Sequence, residues 1–232
     1  MSTAAASDRL EPAQHTAARI AGLMYIITIV SANFSQFYAR SQLTTSERIF
    51  RLGTVSDLVT TAGVVILIVA LYVVLRPVNR NVALLAAFFR LIESSIFAAI
   101  TLTDFVALRL LSGATYLRAF DSQQSHALAR LFDDVHADGY LIGLVFFGLG
   151  STTFAYLWFK SRYIPRLLAG WGIFSSLLVA IVSLAIMAFP SLTNVLIPAY
   201  FAPIFIFEVT LGIWLLAKGI ESPLPPSAAA RP

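Results

Sequence analysis

The chain has 232 residues, of which 58% are hydrophobic and 12% charged, with a mean hydropathy of +0.81; that leaves too little polar surface to cover a soluble domain and fits a protein that lives in a bilayer. The formal charge of +4 is spread over the ends of apolar runs rather than gathered in a stripe, so nucleic acid is not an expected partner. There is no cysteine, which excludes disulfides, thiolate metal sites and cysteine nucleophiles.

Six apolar runs, at 17–39, 52–75, 82–110, 136–159, 165–189 and 195–218, are each long enough to cross about 30 Å of hydrocarbon at about 1.5 Å per residue. The fold class they predict is all-α: a polytopic transmembrane helical bundle of six spans, with an amphipathic helix between spans 3 and 4. The expected organisation is a disordered cytoplasmic tail over 1–16, one six-helix domain over 17–220 and a second disordered cytoplasmic tail over 221–232.

Local chemistry marks several boundaries. "RPVN" at 76–79 ends the second run, Pro165 suits the start of the fifth, and Gly219 after Lys218 is a C-terminal stop. Between spans 3 and 4, "DSQQSHALARLFDDVHADGY" reads as a surface helix lying in the outer leaflet. Asp121 and Gln124 have capping-box spacing, and Ala127, Leu128, Leu131, Phe132 and Val135 share one face.

In a six-span chain, nine Lys and Arg fall on the side of the termini. Six fall on the other: Arg40, Arg48, Arg51, Arg109, Arg118 and Arg130. Both termini are therefore expected in the cytoplasm, with the lipid bilayer of a bacterial inner membrane as the surroundings. Trp158, Trp171 and Trp214 lie close to the basic flanks and are read as an interfacial belt on that side.

Three ionisable residues lie deep in the spans. Measured from Asn81, Arg90 is about 14 Å and Glu93 about 18 Å along span 3; measured back from Lys218, Glu208 is about 15 Å along span 6. A charge near the middle of a bilayer costs at least ~2.5 kcal/mol, so the three are expected to face inwards and pair. One guanidinium cannot neutralise two carboxylates. The excess acid makes this level a candidate site for a small cation, a proton or an amphiphilic ligand. Pro203 lies about a turn before Glu208 and lets span 6 bend there.

A second polar group gathers towards the outer ends, including Asn33, Gln36, Asp57, Asp104, His136, Asp138 and Tyr140. It suggests a water-filled vestibule opening outward above the charged floor. Asp57, His136 and Tyr140 join the candidate ligand-binding or ion-binding set, whereas Asp104 and Asp138 read as solvation of helix ends. With only one histidine in a span and no paired-histidine motif, no metal site and no cofactor are expected, and no catalytic residue is assigned. Ser94, Ser95, Ser175 and Ser176 have no histidine at their level and read as helix glue; Gly139 and Gly143 read as a close-packing pair.

The blocks "ARIAGLMYIITIV", "RLGTVSDLV", "LYVVLRPVNRNVALLAAFFRLIE", "GYLIGLVFFGL" and "SRYIPRLLAG" resemble, in order, a bacterial multi-pass membrane family catalogued as domain of unknown function 4386. The resemblance runs from about Ala17 to Ile220 and is most specific over Leu75 to Glu93. It implies polar residues at the positions held here by Asp57, Arg90, Glu93, His136, Tyr140 and Glu208, and it carries no mechanism with it. The functional expectation is a small transporter or ligand-binding membrane protein. The alternatives are a non-catalytic assembly or sensing partner, and an intramembrane enzyme acting on a lipid-like substrate.

Overall fold

A computed structural model describes residues 11–112 and 120–221. Residues 1–10 and 222–232 of the expected tails, with Arg9 and Arg231, and residues 113–119, with Arg118, lie outside the described residues.

Among the described residues six helices follow one another: α1 (Pro12–Asn33), α2 (Glu47–Leu75), α3 (Arg80–Leu111), α4 (Ser122–Ser161), α5 (Arg166–Ala188) and α6 (Thr193–Ala217). All six are long and apolar enough to cross a membrane, and the chain is an integral membrane protein. Each helix packs on the next, and α6 returns to α1, closing a ring.

Both described ends of the chain meet at one end of the ring, here called the base. Gln14 Nε2 donates to the Val74 carbonyl (3.1 Å) and the Glu221 amide donates to the Tyr163 carbonyl (3.0 Å), joining α1, the end of α2, the α4–α5 turn and the residues after α6. The opposite end is the crown.

Starts and stops follow capping chemistry. Ser46 and Asn79 accept from the amides of Ile49 and Val82 at the starts of α2 and α3. Asp121 and Gln124 form the expected capping box on α4. Gly219, at φ 72°, ends α6 in the left-handed region. The α4–α5 turn uses Arg162 in that region instead, at φ 59°.

Four readings change. Residues 12–16, assigned to the tail, are the first turn of α1, because Pro12 at the first helical position and a Glu11–Gln14 capping box start the helix early. Helix 1 also runs past 39: a π-helical stretch (Phe34–Ala39) and a 3-10 turn (Arg40–Gln42) continue it.

The amphipathic segment does form a helix, but it is the first part of the 40-residue α4 rather than a separate surface helix. Its inward face is also rotated from the expected one: Ala129 and His136 are buried, Leu128, Phe132 and Asp133 partly so, while Ala127, Leu131 and Val135 face outwards. The register that buries Gly143, Phe147 and Gly150 further along α4 dictates this.

Finally, Trp158 is 1% exposed and belongs to the core, so of the three tryptophans only Trp171 and Trp214 reach the outer surface of the bundle.

Two cores result. The main one fills the ring, and a smaller one at the crown joins Leu43, Phe50, Ala107, Leu108 and Ala129 from the long helices α2, α3 and α4 and the turn after α1. Small residues set the helix spacing: a Cβ on Gly22 would stand 2.8 Å from the Gly212 carbonyl oxygen, and one on Gly143 would run into the Phe97 ring. Ser94 bonds across to the Thr61 carbonyl (3.3 Å) and Ser31 to Thr60 (2.7 Å), whereas Ser95 and Ser175 bond within their own helices.

Candidate ligand-binding site

The ring encloses a cavity of about 140 Å³ to which every helix contributes, among them Thr28 of α1, Thr60 of α2, Glu93 of α3, Tyr140 of α4, Val179 of α5 and Glu208 of α6. Along the helices from the base, Glu208 lies about 14 Å up α6, and Arg90 about 15 Å and Glu93 about 20 Å up α3; Gln36 lies beyond them, in the π-helical stretch that continues α1. The acids are at the floor and the amides towards the crown.

At the floor, Arg90 and Glu93 are 3% and 2% exposed. Their three-residue spacing puts both on one face of α3, with Nη1 2.8 Å from Oε2. The guanidinium stacks over the Phe147 ring at 4.5 Å. Gly150 makes this possible: a Cβ there would stand 2.7 Å from the Arg90 Cγ and 3.1 Å from the Ala86 carbonyl oxygen. Glu208 lines the same cavity from α6 and has no ion pair among the described residues. Two carboxylates and one guanidinium thus share one space.

The middle of the cavity is aromatic. Phe97 and Tyr140 stack at 4.8 Å with ring planes 8° apart. Beyond them a second cavity of about 30 Å³, large enough for a water, is bounded by Gln36, Asp57, Thr61 and His136 and shares Tyr140 and Phe97 with the first. The six residues singled out by sequence therefore line two adjoining cavities: Arg90, Glu93 and Glu208 the large one, Asp57 and His136 the small one, and Tyr140 both.

The residue that sequence reasoning missed is Arg40. Its guanidinium lies 3.1 Å from Asp104 Oδ1 and 3.9 Å from Asp57 Oδ2, and it hydrogen-bonds Asp133. One side chain thereby ties the end of helix 1 to α2, α3 and α4. Arg40 reads as a loop flank only if helix 1 stops at 39; the π-helical continuation carries it inwards.

Asp104 is likewise not a solvated helix end. It is 2% exposed, accepts from Thr54 (3.4 Å) and lies 3.1 Å from His136 Nδ1. Asp138 does face outwards. Gln36 donates to Asp57 at 3.1 Å, closing the group.

A signal for Arg40 was present in the sequence: three acids at the crown ends of spans need a cation at their level. Among the described residues no three of His, Asp and Glu converge as metal ligands; Arg40 occupies the space between the carboxylates.

No curated protein matches the chain, and no solved structure does. The family described as Domain of unknown function (DUF4386) matches residues 20–219. Six apolar helices in a closed ring agree with the multi-pass architecture that the sequence blocks imply, and the chain belongs to that family.

Proposed function

We propose that the protein binds a small organic cation at the Glu93, Arg90 and Glu208 level of its central cavity, as the binding step of a small transporter. The observation that carries the reading is the charge count: the buried Glu93 and the half-buried Glu208 line one cavity together with a single guanidinium, that of Arg90. Desolvated acids in excess favour an added positive charge.

The size of the cavity narrows the ligand. An engineered apolar cavity of about 150 Å³ takes up benzene, so about 140 Å³ suits an ammonium group carrying one ring-sized apolar substituent. The Phe97–Tyr140 stack supplies aromatic surface for such a cation.

In this reading the crown faces outward and both termini lie in the cytoplasm of a bacterial inner membrane. The nine to six division of Lys and Arg supports it. So does the basic and aromatic rim of the base, where Lys218 sits over Trp214 and Arg166 over Phe159.

The test is equilibrium binding of benzyltrimethylammonium to the protein in phosphatidylcholine nanodiscs. One site per chain is expected, weakened about tenfold or more by Glu93→Gln or Glu208→Gln, since losing one ionic partner is worth at least ~1.4 kcal/mol. Glu47→Gln, which removes an exposed partner of Arg51, leaves it unchanged. Binding indifferent to both Glu93→Gln and Glu208→Gln overturns the reading and leaves the network a structural role.

A further inference from the structure

The wall of the ring is not uniform, and its weak place lies between α1 and α6. Near the base these helices touch backbone to backbone. A Cβ on Gly22 would stand 2.8 Å from both the Gly212 oxygen and the Leu216 nitrogen, and one on Gly212 would stand 3.0 Å from the Tyr25 Cβ. Towards the crown the same two helices cease to fill the space between them. Ile29, Asn33 and Phe37 of helix 1 and Phe201, Ile204 and Phe205 of α6 line the cavity instead.

What stands across the gap is aromatic: Phe37 meets Phe201 edge to face at 4.9 Å, and Phe201 stacks on Phe205 at 5.7 Å. Phe37 and Phe205 are 58% and 38% exposed, so the rings that line the cavity are also seen from outside the bundle.

Depth decides what lies outside. Phe205 and Phe201 are about 18 and 24 Å along α6 from Ala217, within the ~30 Å of hydrocarbon that the helices cross. The backbone is adapted to an opening here. Pro198 and Pro203 both lie inside α6, where each removes a helix hydrogen bond. Trp171 of α5 donates to the Pro203 carbonyl (3.1 Å) and anchors the helix from the far side. Opposite, helix 1 changes to its π-helical stretch at Phe34. Single-turn π segments inside helices recur at functional sites.

We infer that the crevice between α1 and α6 is a lateral portal through which a cationic amphiphile enters the cavity from the bilayer, its charged head reaching Glu208 and Glu93 while its apolar chain stays between Phe37, Phe201 and Phe205. This rests on the cation-binding reading above and adds to it a ligand class and a route. A ligand with a long apolar chain exceeds the cavity, and the portal is where the excess goes. Head and chain meet matching surfaces: the acids are about 14 to 20 Å from the base and the aromatic rings lie beside or above them.

The absence of native cysteine makes the test direct. Phe37→Cys with Phe201→Cys, joined by a short reducible bis-thiosulfonate cross-linker, closes the portal. In phosphatidylcholine nanodiscs, rapid filtration with radiolabelled dodecyltrimethylammonium follows association before and after cross-linking. A fall of about tenfold or more in the association rate, reversed by reduction, is expected, because blocking a required entry path acts on the on-rate. A second variant, Phe37→Ala with Phe201→Ala, widens the gap and speeds association about threefold or more.

Unchanged rates in both variants, with binding still weakened about tenfold or more in Glu208→Gln, overturn the portal and keep the cation site. Loss of all binding of both dodecyltrimethylammonium and benzyltrimethylammonium in the unaltered chain overturns the site, and the portal with it.

Discussion

Replacing Arg90 by methionine keeps most of its apolar stem and removes the one positive charge at the cavity floor. The guanidinium is 3% exposed and lies 2.8 Å from the Glu93 carboxylate. With charge centres about 4 Å apart and an effective dielectric constant near 20, the attraction within the pair is about 4 kcal/mol; burial of both charges offsets much of it, but stripping one partner leaves the other buried and uncompensated, at a cost of about 3 to 5 kcal/mol. Glu208 lines the same cavity without an ion pair of its own among the described residues, so Glu93 is the carboxylate left stranded.

Arg90→Met is therefore expected to lose about 3 kcal/mol or more of unfolding free energy in mixed micelles. Adding Glu93→Gln removes the stranded charge and recovers most of that loss. Glu93→Gln alone costs less, because Arg90 keeps the Phe147 ring and the Glu208 carboxylate in the same cavity. The double-mutant cycle should show a coupling of at least ~1 kcal/mol. An Arg90→Met protein within about 0.5 kcal/mol of the parent, the range of ordinary surface changes, would refute the reasoning.

Three further outcomes follow from the packing. Gly150→Ala forces a methyl to within 2.7 Å of the Arg90 Cγ and is expected to cost about 1 to 3 kcal/mol, whereas Gly170→Ala, which meets only Phe159 at 3.9 Å, is tolerated; thermal unfolding monitored by size exclusion separates the two. Arg40→Gln strands Asp104 at the crown and should destabilise in a manner coupled to Asp104→Asn by about 1 kcal/mol or more, while Asp138→Asn, on the outward face, stays within about 0.5 kcal/mol. Arg162 holds a left-handed conformation, so Arg162→Gly should stabilise the α4–α5 turn by about 1 kcal/mol, read as a rise in the same thermal midpoint.

The spans were legible because hydrocarbon demands long apolar helices with few breaks, and "RPVN" at 76–79, Pro165 and Gly219 marked the end of the second, the start of the fifth and the end of the sixth. The floor was legible too. Rise per residue puts Arg90, Glu93 and Glu208 at nearly one depth, and the cost of burying charge says that they must face inwards.

Features that depend on a register change or on tertiary order were not legible. The π-helical stretch at Phe34–Ala39 has no periodicity of its own, so Arg40 was counted with the flank. The segment from Asp121 to Val135 is amphipathic on two overlapping faces, and only the packing of α4 as a whole decides which one is buried. Trp158 looks interfacial by its distance from Lys160 and Arg162, but α4 continues its buried face to Ser161, and the ring is buried there. The return of α6 to α1, which creates the portal, follows from ring closure and leaves no local trace in sequence.

The central claim is that a cation sits inside the ring beside Glu208 and Glu93. Diffraction from crystals grown with 4-bromobenzyltrimethylammonium, using the anomalous signal of bromine, tests it most directly. One peak per chain within the space between the Phe97–Tyr140 stack and Glu208, with clearly lower occupancy in crystals of Glu208→Gln at the same sub-saturating ligand concentration, is the expected result. A saturated crystal with bromine only on the outer surface of the bundle, or an internal peak of equal occupancy in Glu208→Gln at sub-saturating ligand, would contradict it.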